Sequence, residues 1–251
     1  MRWGVGIMNT NDNLNDIYIR SFLRGVFEGG DGNKRKTILD VGCGKQPYAD
    51  IYQKHYGRNI CIDINRDNIA VDVIASAEVI PLHSETIDVI LCTEVVEHVA
   101  DPLKAISEMA RLLRPDGMLL LTWPLHYSLH EMPYDFSRIT EYGMAHLCQS
   151  CGLRIENILR RGTIFAVIHT LCSHLTLNMI EYIKRMPIIG VLFRPLGSLA
   201  KALFHFSFMV HAKASMTFLG DAKKEDEDMS GGVLRALHLW TLGYCCQIRK
   251  M

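Results

Sequence analysis

The sequence predicts an α/β domain in which a parallel sheet carries helices on both faces. Short apolar runs alternate with segments of helical periodicity along most of the chain, and this alternation is typical of doubly wound sheets. The composition agrees, because 49% of the 251 residues are hydrophobic and 22% are charged, which suits a full core. The formal net charge is zero, so the overall charge does not favour nucleic acid as a partner.

Each element is predicted from its own local pattern. A first helix is expected over 14–28, where apolar residues recur at helical spacing after candidate capping residues. Strands are expected at the apolar runs 37–41, 59–63, 87–92, 118–123, 153–160 and 242–249. Helices are expected between them at 47–56, 102–113 and 140–151, and the Arg-Pro-Asp-Gly run at 114–117 is expected to end the second of these.

A glycine-containing turn follows the first predicted strand. Gly42 and Gly44 let the backbone turn sharply and let a ligand approach more closely than a Cβ permits. Pro47 stands where a dinucleotide-binding fingerprint has its third glycine, which weakens an NAD interpretation. Asp63 ends the next strand, about 20 residues after Asp40, at a spacing where a carboxylate meets ribose hydroxyls. The alternative is that Asp63 only ends a strand or caps a helix.

Residues 37–123 resemble the class I S-adenosylmethionine-dependent methyltransferases of the methyltransferase domain 11 type. The matching segments are LDVGCG (39–44), CIDI (61–64), ASAEVIPL (75–82), IDVILCTEVVEHV (87–99) and ARLLRPDGMLLLTWP (110–124). Several ordered motifs at the right intervals are more specific than any one of them, and the final LGYCCQIRK is similar to the family's last strand. The resemblance implies a Rossmann-like, seven-stranded, doubly wound sheet with an antiparallel last strand, and S-adenosyl-L-methionine as cofactor.

The resemblance also implies where that cofactor binds. The glycine turn would flank its methionine part, and the acid of the first strand would lie near its ammonium group. The acid that ends the second strand would accept hydrogen bonds from the ribose diol. Other positions would border adenine or lie beneath the sulfonium, although many relatives have an acid where this chain has a serine. The expected residues are Asp40, Gly42, Cys43, Gly44, Asp63, Ile64, Ser76, Ala77, Glu78, Cys92 and Thr93.

The loop after the predicted strand 118–123 carries the candidate catalytic residues. A hydroxyl acceptor must lose a proton near neutral pH, and histidine is suited to remove it. His126 and His130 are therefore predicted to act on the acceptor, which is an oxygen or nitrogen of a small-molecule or a glycan- or lipid-linked compound. The run HEMPYDFSRIT resembles a form of the family associated with bacterial surface glycans. Asp135 and Arg138 in this run can instead simply pair with each other.

The sequence predicts no metal site. Cys148 and Cys151 form a CxxC pair, but no second pair with matching spacing is present. Glu94, Glu97 and His98 allow a metal or an acid–base role, but acids at the start of a helical segment also suit the positive end of its dipole.

The domain organisation is predicted from a change in composition near residue 163. Residues 1–162 are expected to form the methyltransferase core, 163–232 a hydrophobic, basic helical insertion, and 233–251 the strand that completes the sheet. The stretch 182–220 contains basic residues and, after Glu181, no acid, which favours a lid, a homodimer face or a peripheral membrane surface. The start of the chain has no apolar leader, so a cytoplasmic location is expected, with contact at the inner membrane surface as an alternative.

The predicted activity is therefore methyl transfer from S-adenosylmethionine. The alternatives are a nucleotide-binding oxidoreductase and a non-catalytic Rossmann-type binding module. No nucleic-acid acceptor is expected, because the predicted strand 87–92 is followed by Thr-Glu-Val at 93–95 instead of the Asn-Pro-Pro-Tyr type of motif used on flipped bases.

Overall fold

A single seven-stranded sheet organises the computed structural model, which describes residues 14–28, 35–65, 71–184 and 240–251. The helices are α1 (Leu14–Phe27), α2 (Ala49–Tyr52), α3 (Pro102–Leu112), α4 (Glu141–Ser150) and α5 (Ile164–Lys184). The strands are β1 (Thr37–Val41), β2 (Arg58–Asp63), β3 (Val73–Ile74), β4 (Ile87–Thr93), β5 (Leu113–Pro124), β6 (Leu153–Arg160) and β7 (Gly243–Lys250).

The strand order is β3-β2-β1-β4-β5-β7-β6, with β7 antiparallel to both of its neighbours. The remaining neighbours pair in parallel, so the predicted fold class is confirmed. From β1 the chain runs outward to β2 and β3, and it then returns to place β4 on the other side of β1. Ligands of doubly wound sheets bind beside the carboxyl ends of the strands at such a reversal.

Alternate side chains of the strands enter two separate apolar clusters, one on each face of the sheet. This follows from the period of two along a strand and explains why the central strands read as continuous apolar runs. The cluster on one face includes Leu39, Val41, Ile90, Cys92, Leu119, Leu121, Cys246 and Ile248. The cluster on the other face, which contains the second half of α1, includes Ile38, Val89, Leu91, Leu120, Cys245, Phe22 and Leu23.

Three local features differ from the sequence predictions. β5 begins at Leu113, and the run 114–117 is looped out of the ladder, because the pairing passes from Ile87–Leu113 to Val89–Met118. The predicted helix 47–56 is reduced to α2 and a 3-10 turn over Gln53–His55. β3 was not predicted, since two residues are too few to show an alternating pattern.

The described residues divide into two compact units. The second unit holds the sheet, and the first contains the described parts of Met1–Tyr18, His126–Ser128 and Gly162–Leu242. In the first unit Leu14, Ile17, Tyr18, Ala166, Val167 and Leu242 form an apolar cluster. None of the helices in the described part of the chain combines the length and apolar character needed to cross a bilayer. Most of the predicted 163–232 insertion, from residue 185 onward, lies outside the described residues.

The chain leaves the sheet after β6 and returns to it at β7 through adjacent residues. The backbone N–H of Arg161 donates to the carbonyl oxygen of Gly243 at 2.8 Å. A Cβ on Gly243 would lie 2.0 Å from Nη2 of Arg161 and 2.3 Å from the carbonyl oxygen of Trp123. Only glycine therefore fits at this junction.

Candidate active site

The turn after β1 has the geometry that its glycines predict. Gly42 has a φ of +66°, and a Cβ there would lie 2.4 Å from Cγ2 of Val95. Its N–H and that of Cys43 both donate to the carbonyl oxygen of Ile62, at 2.9 and 3.0 Å. The turn therefore packs against the loop after β4 on one side and against the end of β2 on the other. At Gly44, by contrast, no described atom lies within 4 Å of a Cβ position.

Asp63 connects the end of β2 to this turn. Its Oδ2 accepts the N–H of Gly44 at 2.8 Å, and its Oδ1 accepts the N–H of Asn65 at 2.8 Å. Ile64, the next residue, exposes 72% of its surface, which is unusual for a large apolar side chain beside a strand end. A carboxylate and an exposed apolar surface thus lie together at the glycine turn.

Asp40 is a buried acid in the strand that leads into the turn. It is 4% exposed, and the Tyr52 hydroxyl donates to its Oδ2 at 2.7 Å. Burial raises the pKa of Asp40 to about 7; the charge of Asp63 also raises it, whereas the Tyr52 hydrogen bond lowers it. A nearby cation would stabilise the charged form of Asp40, because it would offset the hydration that the carboxylate loses on burial.

The three predicted residues over 76–78 lie together in a short bridge-and-turn segment. Ser76 pairs with Val79, and its Oγ accepts the N–H of Glu78 at 3.2 Å. Ala77 is buried. Oε1 of Glu78 accepts the N–H of Asp101, the N-cap residue of α3, at 3.0 Å. The Glu78 carboxylate is therefore held toward the start of that helix.

Two of the predicted cysteines are enclosed in the protein. The Cys92 side chain is fully buried, and burial, followed by the charge of Glu97, raises its pKa well above the usual range. A hydrogen bond with Cys61, followed by burial, likewise raises the pKa of the Cys43 thiol. Both thiols therefore remain protonated at neutral pH. Thr93, the last residue of β4, is only partly buried.

An ion pair between the buried Arg161 and the partly exposed Glu94, beside the end of β4, was not predicted from the sequence. Arg161 is 1% exposed, and its Nη1 lies 3.0 Å from Oε1 of Glu94. Thr122 donates its hydroxyl to the same oxygen at 2.8 Å, and Nη2 of Arg161 donates to the carbonyl of Trp123 at 2.7 Å. The partners are 67 residues apart, so no sequence spacing indicates their contact. The Glu94 carboxylate therefore connects the carboxyl ends of β4, β5 and β6.

A second cluster joins Glu97, His98 and His130. Oε1 of Glu97 lies 3.7 Å from Nε2 of His98 and 3.9 Å from Nε2 of His130. The two imidazole rings meet edge to face, with centroids 4.7 Å apart. Glu97 is 1% exposed, and burial, followed by the charge of Glu94, raises its pKa to about 8. The sequence hypothesis grouped Glu94 with Glu97 and His98, whereas the structure places His130 there.

The loop after β5 is fixed around this cluster by hydrogen bonds. Nδ1 of His98 lies 2.9 Å from the carbonyl oxygen of Tyr134, and Phe136 donates its N–H to the carbonyl of Glu97 at 2.8 Å. Oδ2 of Asp135 lies 3.4 Å from Nδ1 of His130. Arg138 donates to Asp135 and holds the pKa of that carboxyl well below its usual range. The predicted pairing of Asp135 with Arg138 is thus observed, and it also orients His130.

His126, the other predicted catalytic histidine, belongs to the first unit. Its Nδ1 lies 2.7 Å from the carbonyl oxygen of Thr241. Its ring packs against Trp240 with centroids 5.1 Å apart. Because a carbonyl only accepts hydrogen bonds, Nδ1 carries the proton in the neutral ring, and Nε2 is the basic atom.

Comparison with known proteins identifies the central segment. Residues 39–121 match a family model described as a methyltransferase domain. These residues are therefore similar in sequence to that family. The matched segment begins before the glycine turn and ends within β5, so it contains the turn, Asp63, the 76–78 segment and the Glu97–His98 pair.

Curated proteins that the chain resembles are named O-methyltransferases of ubiquinone biosynthesis. The protein of that name from Aliivibrio fischeri (strain ATCC 700601 / ES114) is 30% identical over 109 residues, which are 38% of this chain and 47% of the relative. That from Neisseria meningitidis serogroup A is 26% identical over 184 residues, covering 57% of this chain and 74% of the relative. The chain spans about half the length of the first of these relatives.

Solved structures with the same fold cover nearly the whole chain. A candidate sarcosine dimethylglycine methyltransferase from Galdieria sulphuraria has a TM-score of 0.55 at 17% identity, with 94% of this chain and 86% of that chain covered. The 4+2 cyclase SpnF has a TM-score of 0.55 at 14% identity, with coverages of 97% and 84%. At these identities the likeness shows the fold alone, and the two names describe different reactions.

Proposed function

We propose that the chain is an S-adenosylmethionine-dependent methyltransferase that acts on a hydroxyl oxygen of a small-molecule acceptor. The observation that carries the proposal is the hydrogen bond from Gly44 in the glycine turn to Asp63, at the point where the strand order reverses, within the segment that matches the methyltransferase family model. The oxygen acceptor is supported by the names of the relatives, which are O-methyltransferases.

The residues around the turn fit S-adenosyl-L-methionine in their chemistry. Asp63 offers carboxylate oxygens to the ribose diol, Ile64 offers an apolar surface to adenine, and Asp40 offers a buried acid to the ammonium group. We assign the 76–78 segment to the adenine side, and Cys92 with Thr93 to the sulfonium side. We assign Gly42, Cys43 and Gly44 to the methionine part, since at Gly44 no described atom lies within 4 Å of a Cβ position.

The protein's task in methyl transfer is mainly to position the acceptor. When bound, the cofactor supplies a methyl group activated by the positive sulfonium. Holding the acceptor oxygen in line with that carbon can account for much of the rate. The acceptor proton must also be removed, and both His126 and His130 present Nε2 as their basic atom, since Nδ1 faces an acceptor oxygen in each.

Calorimetry with the full chain tests cofactor choice. We expect S-adenosyl-L-methionine to bind and NAD to give no heat. Asp63→Asn should weaken binding about 10-fold or more, because a hydrogen bond to a charged group is worth about 1.5–3 kcal/mol. Asp50→Asn, at an exposed acid on α2, is the matched control and should bind as the wild type does. Binding of NAD alone would favour the oxidoreductase alternative and overturn the proposal.

Methyl-labelled cofactor tests the catalytic residues. Incubation with cell extract, followed by identification of the labelled product, gives the acceptor. With that acceptor, His126→Ala and His130→Ala should bind the cofactor normally and turn over more slowly; unchanged turnover in both variants would remove histidine from the mechanism.

Glycan- or lipid-linked acceptors are a further outcome of this assay, as the basic stretch that suggested them lies largely outside the described residues. Membrane and homodimer contacts of that stretch stay predictions for the same reason.

A further inference from the structure

The Glu97 carboxylate is buried without the hydrogen bonds that a buried carboxylate needs. Within the described residues, neither of its side-chain oxygens accepts a hydrogen bond, although the residue is only 1% exposed. A buried, ionised carboxylate without partners is costly. Native proteins rarely leave such groups unexplained, and an ion that is not part of the polypeptide is one explanation.

The two histidines next to Glu97 are oriented so that their basic atoms face it. Nδ1 of His98 lies at the carbonyl oxygen of Tyr134, and Nδ1 of His130 lies near Oδ2 of Asp135. The carbonyl oxygen of Tyr134 only accepts hydrogen bonds, so Nδ1 of His98 carries the proton of the neutral ring, and the Asp135 carboxylate 3.4 Å from Nδ1 favours the same tautomer of His130. The lone pair of each Nε2 is therefore the one that faces the Glu97 carboxylate.

We propose that Glu97, His98 and His130 bind a divalent transition-metal cation. Once its proton is displaced, the Glu97 carboxylate offers a lone pair beside those of the two histidines, and a cation satisfies all three groups. Their ligand atoms lie within 4.8 Å of one another, so closing on a zinc-sized ion requires shifts of about half to one ångström at metal–ligand distances of about 2.0–2.2 Å.

The donor set indicates the class of metal. Two imidazole nitrogens and one carboxylate oxygen suit Zn²⁺, Co²⁺ or Fe²⁺ better than Mg²⁺ or Ca²⁺, which prefer oxygen ligands. Three protein ligands also leave a coordination position for another molecule, as in catalytic zinc sites. Glu94 is not a ligand in this assignment, because Arg161 and Thr122 occupy its carboxylate.

The hydrogen-bond partners of the two histidine ligands resemble those of known metal sites. A ligating histidine typically donates its other N–H to a carbonyl or a carboxylate, which fixes the ring and its tautomer. Tyr134 supplies the carbonyl for His98, and Asp135, itself held by Arg138, supplies the carboxylate for His130. The loop thus brings the third ligand to a pair that is adjacent in the sequence.

This assignment changes the role of His130 in the proposed reaction. A cation with an open position can bind the acceptor oxygen and lower the pKa of its hydroxyl. His130 would then act on the acceptor by holding the cation, which leaves His126 as the candidate base. This catalytic role rests on the proposed function, whereas cation binding itself does not.

Titration of the chelator-treated full chain with Co²⁺ tests the site without any methyl donor. Visible absorption reports nitrogen and oxygen ligands, and thiolate charge-transfer bands report cysteine. We expect one Co²⁺ per chain, displaced by Zn²⁺, without thiolate bands. Glu97→Gln and His130→Ala should each lower the affinity at least about 100-fold, and Asp135→Asn about 10-fold or more. Circular dichroism establishes that each variant is folded.

His146→Ala is the matched control, since His146 is an exposed histidine on α4. It should bind Co²⁺ as tightly as the wild type. Absence of binding, equal binding in the Glu97 and His130 variants, loss of binding in the control, or thiolate bands would each overturn the metal assignment. Calorimetry with S-adenosyl-L-methionine is a separate measurement, so either proposal can fail while the other stands.

Discussion

Replacing Asp40 by asparagine should make the stability of the protein less sensitive to alkaline pH. The buried carboxyl has a folded-state pKa of about 7 against an ordinary value of 3.8. Between these two values the unfolded chain releases the proton while the folded chain keeps it. The wild type therefore loses stability as the pH rises from about 4 to 7, and the loss is complete above the folded-state pKa.

The size of this effect follows from the shift. About three pKa units correspond to about 4 kcal/mol at 1.36 kcal/mol per unit, of which about 2.5 kcal/mol falls between pH 5 and pH 8. Asparagine has a similar shape and can still accept the hydrogen bond of Tyr52, but it does not titrate. The stability of Asp40→Asn minus that of the wild type should thus rise by about 2.5 kcal/mol from pH 5 to pH 8.

Urea unfolding of both proteins without cofactor measures this difference. Other groups that titrate in this range, including Glu97, are common to both chains and cancel in the comparison. A stability difference that is the same at pH 5 and pH 8 would refute the argument from burial. The variant should also bind S-adenosyl-L-methionine more weakly at pH 8, because it offers no charge to the ammonium group.

Two further substitutions probe the turn and the ion pair of Arg161 with Glu94. Gly42→Ala should lower the free energy of unfolding in urea by about 1–3 kcal/mol, because its Cβ meets Val95. Gly44→Ala is the control, since Gly44 has a similar φ but its Cβ would meet no described atom. An equal loss of stability in both variants would remove the steric explanation. Arg161→Met should cost about 1.5–3 kcal/mol, because it removes the charged hydrogen bonds of the buried guanidinium to Glu94 and to the carbonyl of Trp123, whereas Arg154→Met, at an exposed arginine of β6, should cost less than about 1 kcal/mol.

The sheet could be predicted because each central strand carries its own signal. Apolar runs bounded by turn residues give β1, β2, β4, β6 and β7 to within one or two residues at each end. The start of β5 could not be placed, because Pro115 and Gly117 signal a break and the structure accommodates them as a bulge in the ladder. α2 begins at Ala49 and not at the predicted residue 47, because the N–H of Ala49 closes a turn onto the carbonyl oxygen of Gln46, which has a φ of +54°.

Only those parts of the candidate site that come from short sequence motifs could be predicted. The glycine turn and Asp63 follow from short motifs at fixed intervals, and the structure brings them into contact. His130 was predicted to act, but its contact with Glu97 depends on how the loop after β5 folds back on the 3-10 turn over Val96–His98. The Arg161 pair with Glu94 likewise forms between distant parts of the chain, and no periodicity encodes it.

The adjacency of Arg161 and Gly243 bears on how this protein can diverge. The hydrogen bond between these two residues joins the end of β6 to the start of β7. Residues 162–242 therefore leave the sheet and return to it at neighbouring backbone positions. A long excursion between neighbouring points costs little more closure entropy than a short one. Residues 162–242 can therefore be exchanged, shortened or lengthened in related chains while β6 and β7 keep their register.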